Sequence, residues 1–372
     1  MVPAVLVIGA CTETTSSGGK YQPRTRIYHI AAQPETWNYA PLGTDPVFGR
    51  DIPSPWGDSL VYDKLRYVGY TSGDFTTQIP QPPDRGILGP EIRAVVGDTI
   101  KVEFFNQTDR PLTIHPHGVE YTLENEGAQY LPYRGGGDRV PPGFKYTYTW
   151  EADERSGPAP GEPSSRVWLY HSHVMAEEEI TAGLVGTIII TDPKHAREDA
   201  TPDDVDKEFT TLWMIFDENK EDTPVVDQER NLKHTINGLF FGNLTGLTMT
   251  LGQKVRWYLV ALGSEADLHT PHWHGEKILL EGRTYTDVVE LLPASMKTGD
   301  MIADNPGVWL LHCHVGDHMI GGMFTTFLIN SALGAPPVDR TPRMSENGWF
   351  GFGEAARISP YQARPSGVPD RR

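Results

Sequence analysis

One stretch near the end of the chain, residues 309–323, constrains the protein more than any other part of its sequence. It reads Trp-Leu-Leu-His-Cys-His-Val-Gly-Asp-His-Met-Ile-Gly-Gly-Met and places one cysteine between two histidines. The apolar residues at its start predict a buried strand. Because alternate side chains of a strand point to opposite faces, we expect His312 and His314 on one face and Cys313 on the other.

This geometry predicts two metal sites placed back to back. Cys313, His318 and Met323, together with one histidine from elsewhere, offer the thiolate, imidazole and weak axial thioether ligands of a blue-copper centre. His312 and His314 remain for a second site, which the backbone of Cys313 joins covalently to the first. Five potential ligands within twelve residues favour this interpretation over a structural strand with incidental polar residues.

The chain contains 13 histidines, and most of them fall in four motifs. Each half of the chain has a motif that ends in His-x-His-Gly, followed by a His-x-His motif at the end of an apolar strand. This repetition indicates an internal duplication. The motif histidines are His115, His117, His171, His173, His269, His272, His274, His312, His314 and His318, which leaves only His29, His195 and His234 outside.

Short β-rich runs separated by turn residues recur along the 372 residues, which include 38 Gly and 31 Pro. Because helical periodicity is scarce, the sequence predicts an all-β fold of two tandem β-sandwich domains. The strands around Gly97 and Asp98, and around Gly252 and Gln253, alternate in polarity as in a β-hairpin. We assign residues 24–195 to domain 1, 196–206 to a charged linker, 207–332 to domain 2, 1–23 to a terminal segment and 333–372 to a tail.

Charge and cysteine content set further expectations. The net charge of −17 argues against nucleic acid as a partner, and no apolar run has the length of a transmembrane helix. Residues 1–11 are apolar and end in Ile-Gly-Ala-Cys, which is similar to a lipoprotein signal. We therefore expect export to the periplasm or the cell exterior, with Cys11 as a point of lipid attachment. Cys11 and Cys313 are the two cysteines, so no disulfide framework is expected.

Counting ligands assigns the histidines to sites. His269 precedes the His272 and His274 pair across a proline, so it can face away from that pair and is the best fourth ligand for the blue-copper centre. The other eight histidines form four His-x-His pairs, two from each half. Eight imidazoles suit three copper ions, two of them held by three imidazoles and one by two. Because each half supplies four imidazoles, we expect this cluster at a domain interface.

The first half lacks the residues for a blue-copper centre of its own. Ser172 occupies the position of Cys313. Glu178 aligns with the downstream histidine ligand, and Gly183 lies near the position of the methionine. The first half can still give its two histidine pairs to the cluster.

These motifs resemble those of the multicopper oxidases over residues 24–330. The phrases at residues 89–94 and 170–174 are similar to the ceruloplasmin branch, whereas the short length with blue copper only in the second half resembles the two-domain small laccases. The resemblance implies cupredoxin-like Greek-key β-sandwiches and four copper ions per chain. It implies a type 1 (blue) copper bound by His269, Cys313, His318 and Met323, a type 2 copper bound by His115 and His272, and a type 3 pair bound by His117, His171, His173, His274, His312 and His314.

The resemblance also implies an activity and an assembly. A laccase-like multicopper oxidase takes single electrons from phenolic or metal-ion donors and reduces O2 to water. Small laccases are homotrimers in which domain 1 of one chain and domain 2 of the next share each cluster, a head-to-tail contact that closes a ring. In such an enzyme Cys313, His312 and His314 connect the copper sites. Glu120 is our candidate for the proton relay, with Tyr121 beside it.

Two other functions and the choice of substrate remain open. A copper nitrite reductase carries blue copper in its first domain and uses three histidines for its second site, so Ser172 and the surplus of paired histidines argue against it. A non-catalytic copper-binding protein would not need the complete ligand set. Acidic residues near the blue-copper motif could bind Fe(II), Cu(I) or Mn(II), although nine methionines without a Met-rich loop argue against a dedicated Cu(I) oxidase. The acidic candidates are Glu276, Asp287, Glu290 and Asp317.

Overall fold

Two β-sandwiches follow each other in the computed structural model, which describes residues 21–130, 136–220, 223–224 and 228–331. The all-β sandwich fold predicted from the sequence is confirmed. The N-terminal segment with Cys11, on which the prediction of export rests, and the tail from residue 332 lie outside the described residues. In the described ranges, no helix has the length and apolar character needed to cross a membrane.

The first sandwich pairs two four-stranded sheets. Its strands are β1 (Thr25–Asn38), β2 (Val61–Tyr70), β3 (Ile92–Val95), β4 (Thr99–Asn106), β5 (His115–Pro116), β6 (Lys145–Glu151), β7 (Ser165–His171) and β8 (Val185–Thr191). The strand orders are β2-β1-β4-β6 and β3-β8-β7-β5. Within these sheets β1 runs parallel to β4 and β3 runs parallel to β8, whereas the other pairs are antiparallel.

The second sandwich repeats this plan. Its strands are β9 (Lys207–Asp217), β10 (Leu232–Ile236), β11 (Thr248–Thr250), β12 (Lys254–Ala261), β13 (Pro271–Trp273), β14 (Ile278–Leu280), β15 (Thr284–Thr286), β16 (Met296–Ile302), β17 (Gly307–Cys313) and β18 (Phe324–Asn330). The strand orders are β10-β9-β12-β16-β14-β15 and β11-β18-β17-β13. β9 runs parallel to β12 and β11 to β18, as their counterparts do in the first sandwich.

Three short helices lie in loops of the described chain. They are α1 (Ala176–Thr181), α2 (Gln228–Asn231) and α3 (Gly316–Ile320), and single 3-10 turns occur at Trp56–Asp58, Pro83–Arg85 and Leu123–Asn125. α1 connects β7 to β8, and α3 connects β17 to β18. Each of these two helices therefore follows a His-x-His pair directly and sets the course of the chain beyond it.

The two predicted hairpins are wrong. β3 and β4 belong to opposite sheets, and so do β11 and β12. The turn between β3 and β4 is held by Asp98, whose buried carboxylate accepts the backbone N–H groups of Val95 and Arg24 and the Nε–H of Arg26. Two consecutive strands that lie in opposite sheets of a sandwich alternate in polarity as the strands of a hairpin do. In both cases each strand has one buried face.

The two sandwiches pack on each other through an apolar layer. All seven residues of β8 are buried, because one face lies inside the first sandwich and the other faces the second. Burial on both faces produces a continuous apolar run instead of alternation. Full burial of each large side chain stabilises the fold by about 1.5–3 kcal/mol, so this layer holds the two halves together. The layer includes Val167, Leu169, Ile189, Leu212, Met214, Phe216, Tyr258 and Val260.

Ion pairs at the edge of this layer also join the halves. The carboxylate of Glu91 binds Arg85 at 2.6 Å and Arg93 at 2.5 Å, and it accepts the hydroxyl of Thr210 from β9. Arg93 also reaches Glu208 of β9 at 3.1 Å. Burial alone would raise the pKa of Glu91, but the charges of Arg93 and Arg85 outweigh it and lower this pKa to about 2. The carboxylate therefore stays ionised and paired at neutral pH.

Candidate metal centre

Three expected ligands of the blue-copper centre lie together in the second sandwich. Cys313 ends β17, His318 lies in α3, and His269 precedes β13. Their ligand atoms all lie within 4.8 Å of one another, and all three residues are buried. Sγ of Cys313 is 3.7 Å from Nδ1 of His318 and accepts the backbone N–H of Thr270 at 3.4 Å. One sulfur and two imidazoles therefore converge on a single buried point.

The atoms of this cluster fit a copper ion. Nδ1 of His269 is buried and has no hydrogen-bond partner among the described residues, whereas its Nε2 lies 3.1 Å from Oδ1 of Asp267. Met323 is fully buried in the same core. Its N–H donates to the carbonyl of His318, and its carbonyl accepts the N–H of Cys313. A free imidazole nitrogen beside a thiol, a second imidazole and a methionine is a donor set suited to copper.

A quartet of histidines lies on the other face of β17. His272 of β13 and His312 of β17 are cross-strand partners, and Nε2 of His274 lies 3.1 Å from Nε2 of His312. The contacting rings have centroids 4.7 to 5.5 Å apart. We call this group the second-half quartet; its members are His272, His274, His312 and His314.

The first sandwich carries an equivalent group. His115 of β5 and His171 of β7 are cross-strand partners, and Nε2 of His117 lies 3.0 Å from Nε2 of His171. The contacting rings have centroids 5.0 to 5.6 Å apart. This group is the first-half quartet; its members are His115, His117, His171 and His173.

Backbone carbonyls fix the orientation of two rings in each quartet. In each of these four rings Nδ1 lies 2.7 to 2.9 Å from a carbonyl oxygen. Nδ1 must therefore carry the hydrogen, which leaves Nε2 free to bind a metal. The pairs are His115 with Glu126, His171 with Ser172, His272 with Asp287, and His312 with Cys313.

The glycine that follows each His-x-His pair on β5 and β13 is required by the packing around it. Gly118 and Gly275 have φ of 72° and 74°, which side chains with a Cβ rarely adopt. A Cβ atom would lie 1.9 Å from the Trp168 ring at Gly118, and 2.9 Å from the Trp309 ring at Gly275. In each half, the glycine that follows the first histidine motif thus packs against the tryptophan that precedes the second histidine motif.

In the described part of the chain, the two quartets make no ring contact with each other. Among the described residues, every ring contact of a quartet histidine stays within its own half of the chain. The contact of the eight histidines at a domain interface, expected from the sequence, is therefore not seen within the described part of a single chain.

Burial keeps several of these imidazoles neutral. It is the largest cause that lowers the pKa of His171 to about 3 and the pKa values of His117, His312 and His318 to about 4. Neighbouring imidazoles lower these values further, because two adjacent rings resist being charged together. At neutral pH these nitrogens are available to a metal without first losing a proton.

We expect the copper-free protein to lose stability as the pH falls from about 6.5 towards 4. Unfolded histidine titrates near pH 6.5, so in this range the unfolded chain binds more protons than the folded one. Each unit of pKa difference corresponds to about 1.4 kcal/mol. Urea unfolding of copper-free protein between pH 4 and 7 measures this dependence. His171→Gln should make it shallower, and equal stability at both ends of the range would contradict the prediction.

The loop between β7 and β8 of the first sandwich has the same backbone pattern as the loop that carries His318 and Met323. The N–H of Leu184 donates to the carbonyl of Glu179, just as the N–H of Met323 donates to the carbonyl of His318. Glu179 and Leu184 therefore occupy the positions of the two copper ligands, and Glu179 is buried there. The chain between β7 and β8 is longer than that between β17 and β18, so alignment by counting fails. The predicted equivalent of His318, Glu178, is therefore one position away, whereas Leu184 does lie next to Gly183, near which the equivalent of Met323 was expected.

The candidate proton relay lies at the surface of the first sandwich. Glu120 is exposed, and its backbone pairs with that of Glu151. Its neighbour Tyr121 has its ring 6.0 Å from the ring of His115. Among the described residues, no hydrogen bond or ion pair joins Glu120 itself to the quartet, and its role as a relay stays a prediction.

The four acidic residues considered as cation ligands differ in their burial and in the groups that they contact. Glu276 is buried, and its carboxylate accepts two backbone N–H groups of the loop before β17, which argues against a role in binding a substrate cation. Asp287 lies beside His272 in the second-half quartet. Glu290 and Asp317 are exposed.

Two residues near the type 1 ligands were missed in the sequence. His234 of β10 is buried, with its ring 5.3 Å from that of His318. His234 belongs to no sequence motif, and it lies beside His318 only because β10 pairs with β9 in the sheet. Asp267 bonds to His269, two positions further along. Histidines that bind metals commonly donate a hydrogen bond to a carboxylate, and this tendency could have identified Asp267 from the sequence.

Comparison with known proteins places these features in one family. Two family models described as multicopper oxidase match residues 81–195 and 216–332. Ferroxidase HEPHL1 of Mus musculus is 35% identical over 84% of this chain and 30% of its own length. Hephaestin of Homo sapiens is 35% identical, with coverage of 85% and 30%, and ceruloplasmin of Mus musculus is 35% identical, with coverage of 86% and 34%. The chain thus spans about a third of the length of these relatives.

Solved structures share the fold. The crystal structure of a multicopper oxidase has a TM-score of 0.59 at 19% identity, covering 82% of this chain and 89% of the other. Multicopper oxidase mgLAC has a TM-score of 0.60 at 21% identity, covering 86% and 90%. The sandwiches are therefore cupredoxin-like, and the resemblance found in the motifs is confirmed. The chain belongs to the multicopper oxidase family, whose members are copper-dependent oxidoreductases.

Proposed function

We propose that this protein is a multicopper oxidase whose electron donor is a metal cation, with Fe(II) as the first candidate and O2 as the acceptor. The copper inventory is one type 1, one type 2 and two type 3 ions per chain, held by the type 1 ligands and the two quartets. Bound copper supplies the one-electron oxidation of the donor and the four-electron reduction of O2 to water. Cys313, His312 and His314 give the covalent connection between the type 1 site and the second-half quartet.

The observation that carries the choice of donor is the environment of His234. Only 5% of this residue is exposed, and neither ring nitrogen has a hydrogen-bond partner among the described residues. Buried polar groups are normally hydrogen-bonded. His234 contacts His318 and has only the Glu229 carboxylate, 3.6 Å from Nε2, as an ion-pair partner, so its ring nitrogens suit a ligand that arrives with the substrate. Imidazole nitrogen together with carboxylate oxygen suits divalent first-row metal ions.

Carboxylates complete a path from solvent to the type 1 site. Oε1 of Glu229 is 3.6 Å from Nε2 of His234, and the Glu229 side chain is 51% exposed. His234 and the indole N–H of Trp56 lower the pKa of Glu229, so the group is ionised at neutral pH. Asp317 is exposed in the first turn of α3, directly before His318. A cation bound by these groups would lie next to the imidazole that receives its electron.

The separation of the quartets supports an assembly of several chains. Each quartet offers half of a trinuclear cluster, and a head-to-tail contact would pair the first-half quartet of one chain with the second-half quartet of the next. Three such contacts close a ring. The two-domain small laccases, which the motifs resemble, form rings of three chains. We therefore infer a homotrimer.

Glu229→Gln should separate metal oxidation from phenol oxidation. We expect the KM for Fe(II) to rise about tenfold, a loss of about 1.4 kcal/mol in binding, because the carboxylate charge is removed. Oxidation of a phenol such as 2,6-dimethoxyphenol should change little, because a neutral donor needs no cation ligand. The measurement is O2 uptake with each donor at saturating O2.

Glu177→Gln is the matched control, since it neutralises an exposed carboxylate of α1 in the first sandwich and should alter neither rate. A wild-type protein that oxidises the phenol far faster than Fe(II) would instead identify a laccase. An equal effect of Glu229→Gln on both donors would show that this carboxylate serves the type 1 site in general and is not a cation ligand.

A further inference from the structure

Asp267 is a buried carboxylate bound directly to a proposed type 1 ligand. It lies in the loop between β12 and β13 and is 1% exposed. Oδ1 is 3.1 Å from Nε2 of His269 and accepts the backbone N–H of Ile215 at 2.7 Å, and Oδ2 accepts the backbone N–H of Ser264 at 2.7 Å. Two backbone groups and one imidazole therefore hold the carboxylate in a single orientation.

The negative charge of Asp267 has no cationic side chain to balance it. Within the described part of the chain, His269 is its one ion-pair partner, and no lysine or arginine forms an ion pair with it. Burial of an unbalanced carboxylate is costly. A positive charge nearby would remove that cost, and a Cu(II)–thiolate centre carries a net positive charge that Cu(I)–thiolate lacks.

We propose that Asp267 is a positioning residue that makes Nδ1 of His269 the copper ligand and lowers the reduction potential of the type 1 site. An Nε2–H donated to Oδ1 leaves Nδ1 with its lone pair, and Nδ1 is the nitrogen without a partner. The bond to a carboxylate makes the imidazole a stronger base and thus a better ligand for Cu(II). The full charge of Asp267 acts in the same direction, because it favours the more positive oxidation state.

This inference rests on the copper-ligand role proposed for His269, and it adds a constraint on the donor. A type 1 site of lowered potential oxidises weakly bound, high-potential phenols poorly. A donor that is easily oxidised and held by carboxylates, as proposed for Fe(II), suits such a site. Asp267 would therefore act on substrate choice without touching the substrate.

The test is the reduction potential of the copper-loaded protein with Asp267→Asn. We expect the equilibrium constant for reduction by a reference couple to rise at least tenfold, which is about 59 mV for one electron, with the blue absorption band retained. Glu265→Gln is the matched control, because it removes the same charge from an exposed residue of the same loop where water screens it. Its shift should be much smaller.

A variant that keeps its blue band but has the potential of the wild type would overturn the proposal. A second measurement does not depend on the variant folding. In wild-type protein labelled with 15N-histidine and reduced to Cu(I), His269 should show a slowly exchanging Nε2–H and an unprotonated Nδ1. The opposite tautomer would also overturn it. Wild-type protein that binds copper without a blue band would instead contradict the proposed type 1 site, so the two failures are distinguishable.

Discussion

Replacing Cys313 with serine should abolish the blue absorption band and lower turnover by about 10³-fold, equivalent to about 4 kcal/mol on the activation free energy. A hydroxyl cannot replace the thiolate, which is the ligand that defines the blue site and connects it to His312 and His314. The quartets should keep their copper, because the side chain of Cys313 points away from them. Copper content should therefore fall by one ion of the proposed four.

The chain itself indicates that serine fits this position. In the first sandwich Ser172 Oγ accepts the backbone N–H of Thr113 at 3.0 Å, and in the second Cys313 Sγ accepts the N–H of Thr270 at 3.4 Å. The loss of activity should thus come from the lost ligand and not from misfolding. Visible and EPR spectra, copper analysis and O2 uptake measure the three effects.

Ser172→Cys is the reverse control. The first sandwich has Glu179 and Leu184 where the second has His318 and Met323, so a new thiol should create no blue band. A Cys313→Ser protein that stays blue, or that oxidises donors at the wild-type rate, would refute the type 1 assignment.

The sequence was sufficient to predict which candidate ligands lie together, because their arrangement is local. His312, Cys313 and His314 are consecutive, and the alternation of a strand decides which of them share a face. The all-β fold followed from turn spacing and the lack of helical periodicity. The family followed from motifs that combine rare residues at fixed distances.

Features that depend on distant parts of the chain could not be predicted in this way. The alternation around Gly97 and Asp98 is the same for a hairpin and for a crossing between sheets, and only the partners β8 and β1 decide between them. His234 reaches His318 through sheet pairing and helix packing, which leave no pattern in the sequence. Glu179 was missed by one position because counting cannot detect the longer α1 segment. Packing, not spacing, determines each of these features.

The separate quartets lead to the second prediction of large effect, in which two inactive proteins restore activity when they assemble together. His117→Ala damages the first-half quartet and His274→Ala the second-half quartet, and each alone should have almost no O2 reduction. Both variants should stay blue, because neither change touches the type 1 ligands. In a head-to-tail ring, the contact between the intact second half of one variant and the intact first half of the other is undamaged.

Co-expression with two different affinity tags, followed by purification on both, isolates the mixed assemblies. A mixed trimer contains two chains of one kind and one of the other, and either combination has one undamaged contact among three. Activity per ring should therefore return to about one third of wild type, whereas a mixed dimer would give about one half. Co-assembly of His117→Ala with His171→Ala is the matched control, because both defects lie in the same quartet and no contact is spared. Mixed assemblies as inactive as this control would mean that the cluster does not form between neighbouring chains.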